Sequence, residues 1–491
     1  MLQKFQRLAK ESVVYGLGGA GSKFISFLLM PIYSRIFSVA DYGAIDVIAI
    51  LILLSGTLFT SGTDAALSFF FYHKPEHQQR QSTVSTISIY IFMANTFTAF
   101  LLFLLAKEVS LLLFKETRFA EFIRLAAIGM PFTALYNLNL NLVRLQRKPF
   151  TYISITLPYL LTTMLLNILT VLVLKMGTRG VFLSNVIAFV VFSGVGIAFN
   201  RRFYHLAFDC QRFLEMLRYW APMILVGVSA WLMVSMDRIL LAQQGSLEQA
   251  GIYTAGLRIA SIVGFFAQAF RTANLGFIFE TSIEEDAPKV YSLTLSYFIL
   301  LSSVLVLFLS LFARPLIHLL ATSAYEVAYF IIPLLAFSVV AEGAAQITSI
   351  GILLTKKTDQ VGAATVFCAL LQIGLLFLLI PRWGIIGAAL SLLLGHVLLN
   401  VIFLIASQRA YHIPFEYGRI IKILFLSGIL IGVNLIFQPK NIAAQLGFSL
   451  LLMLLYLAAI LVFSLINKRE MRAIGKSLNG LKNKIFVKTS K

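Results

Sequence analysis

Apolar residues run along this chain in long unbroken stretches, and polar residues collect between the stretches instead of alternating with them. A bilayer core roughly 30 Å thick takes about 20 residues of helix to cross. Stretches of that order occur at residues 12–34, 44–71, 84–105, 120–142, 153–174, 181–199, 219–241, 251–279, 290–312, 326–354, 361–380, 385–406, 419–437 and 443–466. A membrane β-barrel would show segments of about ten residues with alternating polarity. Runs such as LLLMLLYLAAILVFSLI carry no such alternation. The pattern therefore predicts an all-α polytopic membrane protein of about 14 transmembrane helices.

Composition supports lipid as the solvent, since 12% of residues are charged and 59% hydrophobic, against about a quarter charged in soluble domains. The net charge of +19 raises nucleic acid as a partner, but its distribution points elsewhere. With the N-terminus placed inside, Lys and Arg gather in the cytoplasmic loops and in a basic tail at 467–491. That asymmetry satisfies the positive-inside rule and places both termini in the cytoplasm. Loops 35–43 and 242–250 then lie outside. Lys4, Arg7 and Lys10 ahead of an apolar run imitate a signal peptide. Lys23 interrupts that run and no small-residue cleavage site follows, so the first helix is expected to be retained. Cys210 and Cys368 give neither a disulfide framework nor metal spacing.

The chain repeats itself. KMGTRGVFLSN and PRWGIIGAALSL match at Gly177, Gly180, Leu183 and Ser184 against Gly384, Gly387, Leu390 and Ser391, a constant offset of 207. SRIFSVADYGAID parallels DRILLAQQGSLEQAGIYTAG, pairing Arg35 with Arg238 and Gly43 with Gly251. The expected organisation is an N-lobe of six helices over 1–205, a C-lobe of six over 206–410, two added helices over 411–466 and the tail. An even number of spans per half gives both halves one orientation, with a pseudo-two-fold along the membrane normal and a cleft between lobes. The paired GxxG turns read as tight chain reversals, since no strand precedes them as a phosphate loop requires.

Two strings, MPIYSRIFSVADYGAIDVIA at 30–49 and DRILLAQQGSLEQAGIYTAGLRIA at 237–260, resemble the polysaccharide-biosynthesis (Wzx-like) flippases. These belong to the superfamily that also holds the lipid II flippases and the multidrug and toxin extruders. The resemblance covers about residues 12–410. It implies a two-lobe transporter of the bacterial inner membrane, not an enzyme. By alternating access it would move a polyprenyl-diphosphate-linked oligosaccharide to the external leaflet for surface polysaccharide assembly. It further implies cleft cations that contact the diphosphate, coupling to protons or sodium, and polysaccharide polymerase and glycosyltransferases as partners beside the membrane lipids. The two added helices resemble the lipid II flippases, which keeps a peptidoglycan precursor open as cargo. Drug export is the alternative within the superfamily.

Charges within a span are costly, and those that persist usually face a cavity or a partner. Lys23 falls near mid-bilayer. Arg258 and Arg271 share a helix but point about 140° apart at 100° per residue. Gln268, Arg271 and Asn274 make a polar stripe, which favours Arg271 as a cleft residue, while Arg258 falls in the outer third, where it either partners through Asp237 and Arg238 or snorkels toward the headgroups. Asp64 and Glu342 are acidic intramembrane candidates for coupling or gating, and Asp64 falls on Arg271 in the repeat. Asn137 and Asn141 share a helix face suited to sugar hydroxyls, with interhelical bonding as the ordinary use of such amides. His396 reads as a packed histidine. A membrane glycosyltransferase or polymerase would need a substantial acidic or metal-binding external loop, and the longest external loops have no clustered carboxylates.

Overall fold

The computed structural model describes residues 27–73, 76–205, 207–281, 285–355, 357–437, 439 and 441–463, without the side chains of 269, 271–277, 279–281 and 442. Lys23 thus lies outside the described residues, as do the side chains of Arg271 and Asn274 and the basic tail. Among the described residues the chain is helical throughout, with no strand, and eleven stretches are long and apolar enough to cross a membrane.

The first half comprises α1 (Phe27–Ile36), α2 (Val39–Thr60), α3 (Thr63–His73), α4 (His77–Leu104), α5 (Ala106–Phe114), α6 (Ala120–Ile128), α7 (Met130–Leu145), α8 (Pro149–Asn167) and α9 (Thr178–Asn200). The second comprises α10 (Cys210–Gln244), α11 (Leu247–Thr281), α12 (Ala287–Leu311), α13 (Ala313–Leu320), α14 (Ile332–Thr348), α15 (Ile350–Leu354) and α16 (Thr358–Ala410). Then follow α17 (Tyr417–Ile436) and α18 (Ile442–Val462).

The 53-residue α16 would be about 80 Å long if straight, far more than a bilayer. It is two helices. Gly384, at φ 52 and ψ −126, breaks it, and a Cβ on Gly395 would meet the Gln372 side chain, so the two arms run back along each other. Gly177, which starts α9, adopts nearly the same conformation, φ 60 and ψ −142. Only glycine enters that region without strain. The reversals expected at both GxxG motifs are thus one backbone device used twice. Ser184 and Ser391 each donate to the carbonyl of the motif's second glycine, Gly180 and Gly387.

The repeat reaches segments with no sequence match. α5 and α13 are short helices that begin at Ala106 and Ala313, again 207 apart, in stretches read from sequence as external loops. The expected loops 35–43 and 242–250 also shrink, to Phe37–Ser38 and Gly245–Ser246. The helices run past the apolar stretch because the next turn caps them: Ser38 accepts from the Asp41 backbone N–H at 3.1 Å, satisfying a donor the helix start leaves orphaned. Elsewhere the spans are less regular than the hydropathy suggests. Ser61–Gly62 divides the second span into α2 and α3, and α8 ends in a π-helical turn, Ile168–Val173.

The halves meet chiefly where α2 packs on α11 and α10. A Cβ on Gly43 would lie 2.4 Å from the Leu247 carbonyl oxygen, and one on Gly251 would lie 2.1 Å from that of Val39. Val39 and Leu247 are related by the same offset of 208 as the two glycines. The seam is therefore reciprocal: each half presents a glycine to the other's first helical carbonyl.

Candidate functional site

One turn along α2 from Gly43 stands Asp46, the carboxylate on which the junction turns. Its Oδ2 accepts from Arg238 Nη1 at 3.2 Å and from Thr254 Oγ1 at 3.2 Å, and its Oδ1 lies 3.6 Å from Arg258 Nη2. Arg238 is held on its own side too. Its backbone N–H and Nε donate to Asp237 Oδ1, and Nη2 donates to the Val234 carbonyl. The Tyr253 hydroxyl closes on Asp237 Oδ2. The Arg258 guanidinium sits 5.3 Å from the centre of the Tyr42 ring. Side-chain exposure is 14% for Asp46, 10% for Arg238, 18% for Arg258 and none for Asp237. Two guanidiniums and two carboxylates therefore compensate one another in a largely dry place. Such burial is tolerated only when the charges are paired and their hydrogen bonds filled.

Below this cluster opens a cavity of about 360 Å³. Asp46, Arg238, Thr254 and Arg258 form its roof. Ser261 and Gln268 continue down α11, and Glu342 and Gln346 face them from α14. Glu342 is exposed to this space. Behind it His396 is buried on α16, its Nδ1 3.1 Å from the Leu392 carbonyl, with Glu342 and Asp237 as its electrostatic neighbours.

The remaining candidates occupy the first half. Asp64 is exposed near the start of α3, and its Oδ1 accepts from Asn141 Nδ2 at 2.9 Å. Arg144 Nη2 in turn donates to Asn141 Oδ1 at 2.7 Å. Asn141 thus bridges a carboxylate and a guanidinium. Asn137, one turn earlier on α7, instead faces a second cavity of about 360 Å³ between α2, α4, α7 and α9. Asn139 is buried in a third role, with its Oδ1 accepting from Asn200 and from the Tyr204 hydroxyl.

The structure thus brings Arg258 and Glu342 to one cavity and sends Asn137 and Asn141 to different surroundings. Arg258 meets Asp46 of the other half, whereas Asp237, its expected neighbour, is occupied by Arg238 and Tyr253. The α10–α11 hairpin puts Asp237 beside Tyr253, and Arg258 lies further along α11 where α2 crosses. The hydropathy pattern does not single out Asp46. The available signal was the repeat, since the offset that pairs Gly43 with Gly251 pairs Asp46 with Thr254, a polar residue at both equivalent positions.

Duplicated helical halves, apolar flanks and a polar cavity at the junction define a multi-pass membrane protein of a two-lobed transporter fold. Comparison with solved structures agrees. The lipid II flippase MurJ in an inward closed conformation superposes with TM-score 0.75 at 14% identity, covering 93% of this chain and all of that one. An inward-facing multidrug resistance MATE family transporter of the MOP superfamily gives 0.59 at 15% identity over 86% and 96%. The chain belongs to the polysaccharide biosynthesis protein family, whose model matches residues 8–275. A protein of the Lsg locus of Haemophilus influenzae is 22% identical over 283 residues, 56% of this chain and 66% of that protein, just short of two thirds of its length. An uncharacterized membrane protein of the same organism is 22% identical over 297 residues, 58% and 68%.

Proposed function

We propose that this protein is a flippase. It carries a polyprenyl-diphosphate-linked oligosaccharide from the cytoplasmic to the external leaflet for surface polysaccharide assembly. One observation supports this reading most. A membrane-embedded cavity has two arginines of the second half as its roof, and the first half supplies one carboxylate that engages both. When residues 1–205 move against 206–410, Asp46 leaves with α2. Arg238 and Arg258 then face the cavity in a medium of low dielectric, and a diphosphate compensates them as the departing carboxylate did. Asp237 stays with Arg238 and keeps the vacated site from being excessively cationic.

In this reading both termini are cytoplasmic, and the Gly43–Gly251 seam is the gate on the external side. Lys23 and Arg271 are further headgroup contacts in this reading. Asp64 and Glu342 are the groups through which proton or sodium binding drives reopening, because a carboxylate in a cleft exchanges its counterion when the cleft changes access.

Reconstitution tests the function. In proteoliposomes loaded with a lipid-linked oligosaccharide of the host strain, the protein should expose the glycan of the inner leaflet to an external lectin. Arg238→Gln with Arg258→Gln should abolish the exposure. Equal rates in empty and protein-containing vesicles would reject the flippase, and transport of cationic dyes in their place would favour drug export.

A further inference from the structure

The second cavity carries no charge on any described lining residue, yet it is not apolar. Asn95, Asn137 and Asn185 contribute amides, Thr57 a hydroxyl, and Phe182 and Phe189 aromatic surface. Asn95 donates to the Ile91 carbonyl of its own helix, and Thr57 to that of Leu53. The amides of Asn137 and Asn185 bond to no described residue, and both line the space. Asn137 is exposed and Asn185 half-buried, so both amides are open to this space. Amides that face a cavity without a partner among the described residues are available to an occupant that brings its own donors and acceptors. Phe189 is held by ring contacts to Tyr136 at 5.8 Å and Tyr159 at 5.3 Å, so this wall is preorganised.

We propose that this cavity binds the neutral, hydroxyl-rich sugars of the cargo. An amide donates and accepts, as a sugar hydroxyl does, and a fixed aromatic face suits the C–H side of a pyranose ring. Three amides, with no cation among the described lining residues, match sugar and not phosphate. The inference rests on the flippase reading and adds a division of labour to it. Thr57 lies eleven residues beyond Asp46 on α2, three turns along the same stripe and about 16 Å away along the axis. A diphosphate at Arg238 and Arg258 can therefore extend its glycan along one face of α2 to the amides.

Binding in lipid nanodiscs separates the two claims. The probes are undecaprenyl diphosphate alone and undecaprenyl diphosphate bearing one N-acetylglucosamine. The wild-type protein should hold the glycosylated probe about tenfold more tightly. Asn137→Leu with Asn185→Leu should erase that preference and leave affinity for the bare diphosphate unchanged. If the double variant does not fold, Asn185→Val alone should cut the preference about threefold. A preference that survives these variants overturns the sugar site and leaves the flippase standing. Failure of the wild type to bind either probe overturns both.

Discussion

At the Asp46 end of α2, cations and carboxylates cancel across a boundary between halves. Towards Thr57, amides line a space in which no described residue is charged. The first region draws its groups from α2, α10, α11 and α14, and its pairing depends on the halves touching. The second draws its groups from the first half, and nothing in its hydrogen bonding depends on the other. In the proposed cycle, charge sits where the halves separate and neutral polarity lies within one half. A buried ion pair is sensitive to separation by an ångström or two. An amide pocket built within one half is insensitive to that separation.

Wedging the seam should have the largest effect. Gly251→Val places a side chain within the space of the Val39 carbonyl, which backbone cannot yield. Closure should be lost, and with it transport, read as failure of a cysteine pair at positions 39 and 247 to cross-link. Efficient cross-linking in the variant would mean that the halves do not need this contact.

Removing a cation comes next. Arg238→Ala leaves Asp46 and Asp237 each short of a partner, and breaking a buried pair from one side costs about 3–5 kcal/mol. Thermal unfolding in detergent should show a loss of that order. Asp46→Asn should cost less, since Arg238 keeps Asp237, and should instead raise the accessibility of position 258 to an impermeant thiol reagent in an Arg258→Cys background. The comparison fails if Asp46→Asn destabilises as much as Arg238→Ala.

A smaller effect probes the repeated turn. Gly384→Ala forces a Cβ into a conformation that costs about 1–3 kcal/mol, and Gly177→Ala should cost a similar amount because the dihedrals agree. A several-fold disparity in unfolding midpoint shift would show that one half tolerates strain better.

The smallest concerns the linker between halves. Asp209 caps α10 by accepting from the Arg212 backbone N–H at 3.0 Å, and it also takes a hydrogen bond from Ser82. The backbone bond is the main reason its carboxyl is held below the ordinary value of about 3.9. A depressed acid stabilises the fold above its unfolded value, and the contribution fades as pH falls through the folded value. Asp209→Ala should therefore cost about 1 kcal/mol at neutral pH, shrinking towards nothing in strong acid. A penalty that persists at low pH would show that Asp209 acts by some means other than its charge.

The spans were legible because lipid demands long apolar runs, and the reversals because two glycine pairs recur at one offset. The cluster around Asp46 was not. Asp46 sits three residues inside its apolar stretch, where an acid reads as a helix end near the headgroups, and its partner Arg238 is 192 residues away. Asn185 went unremarked because it follows a motif whose glycines explained the segment. The π-helical turn at Ile168–Val173 leaves no trace in hydropathy, since it changes the hydrogen-bond register and not the residues' polarity.

The reciprocal glycines at the seam also speak to ancestry. An ancestor with one half per chain would have formed a symmetric pair, and its glycine would have met the same helix start in its twin. Any side chain at that position would have been inserted twice, once from each copy, doubling its cost. In a fused chain each glycine is encoded once and can be substituted by itself. In this chain both positions are glycine, and neither facing carbonyl has room to give.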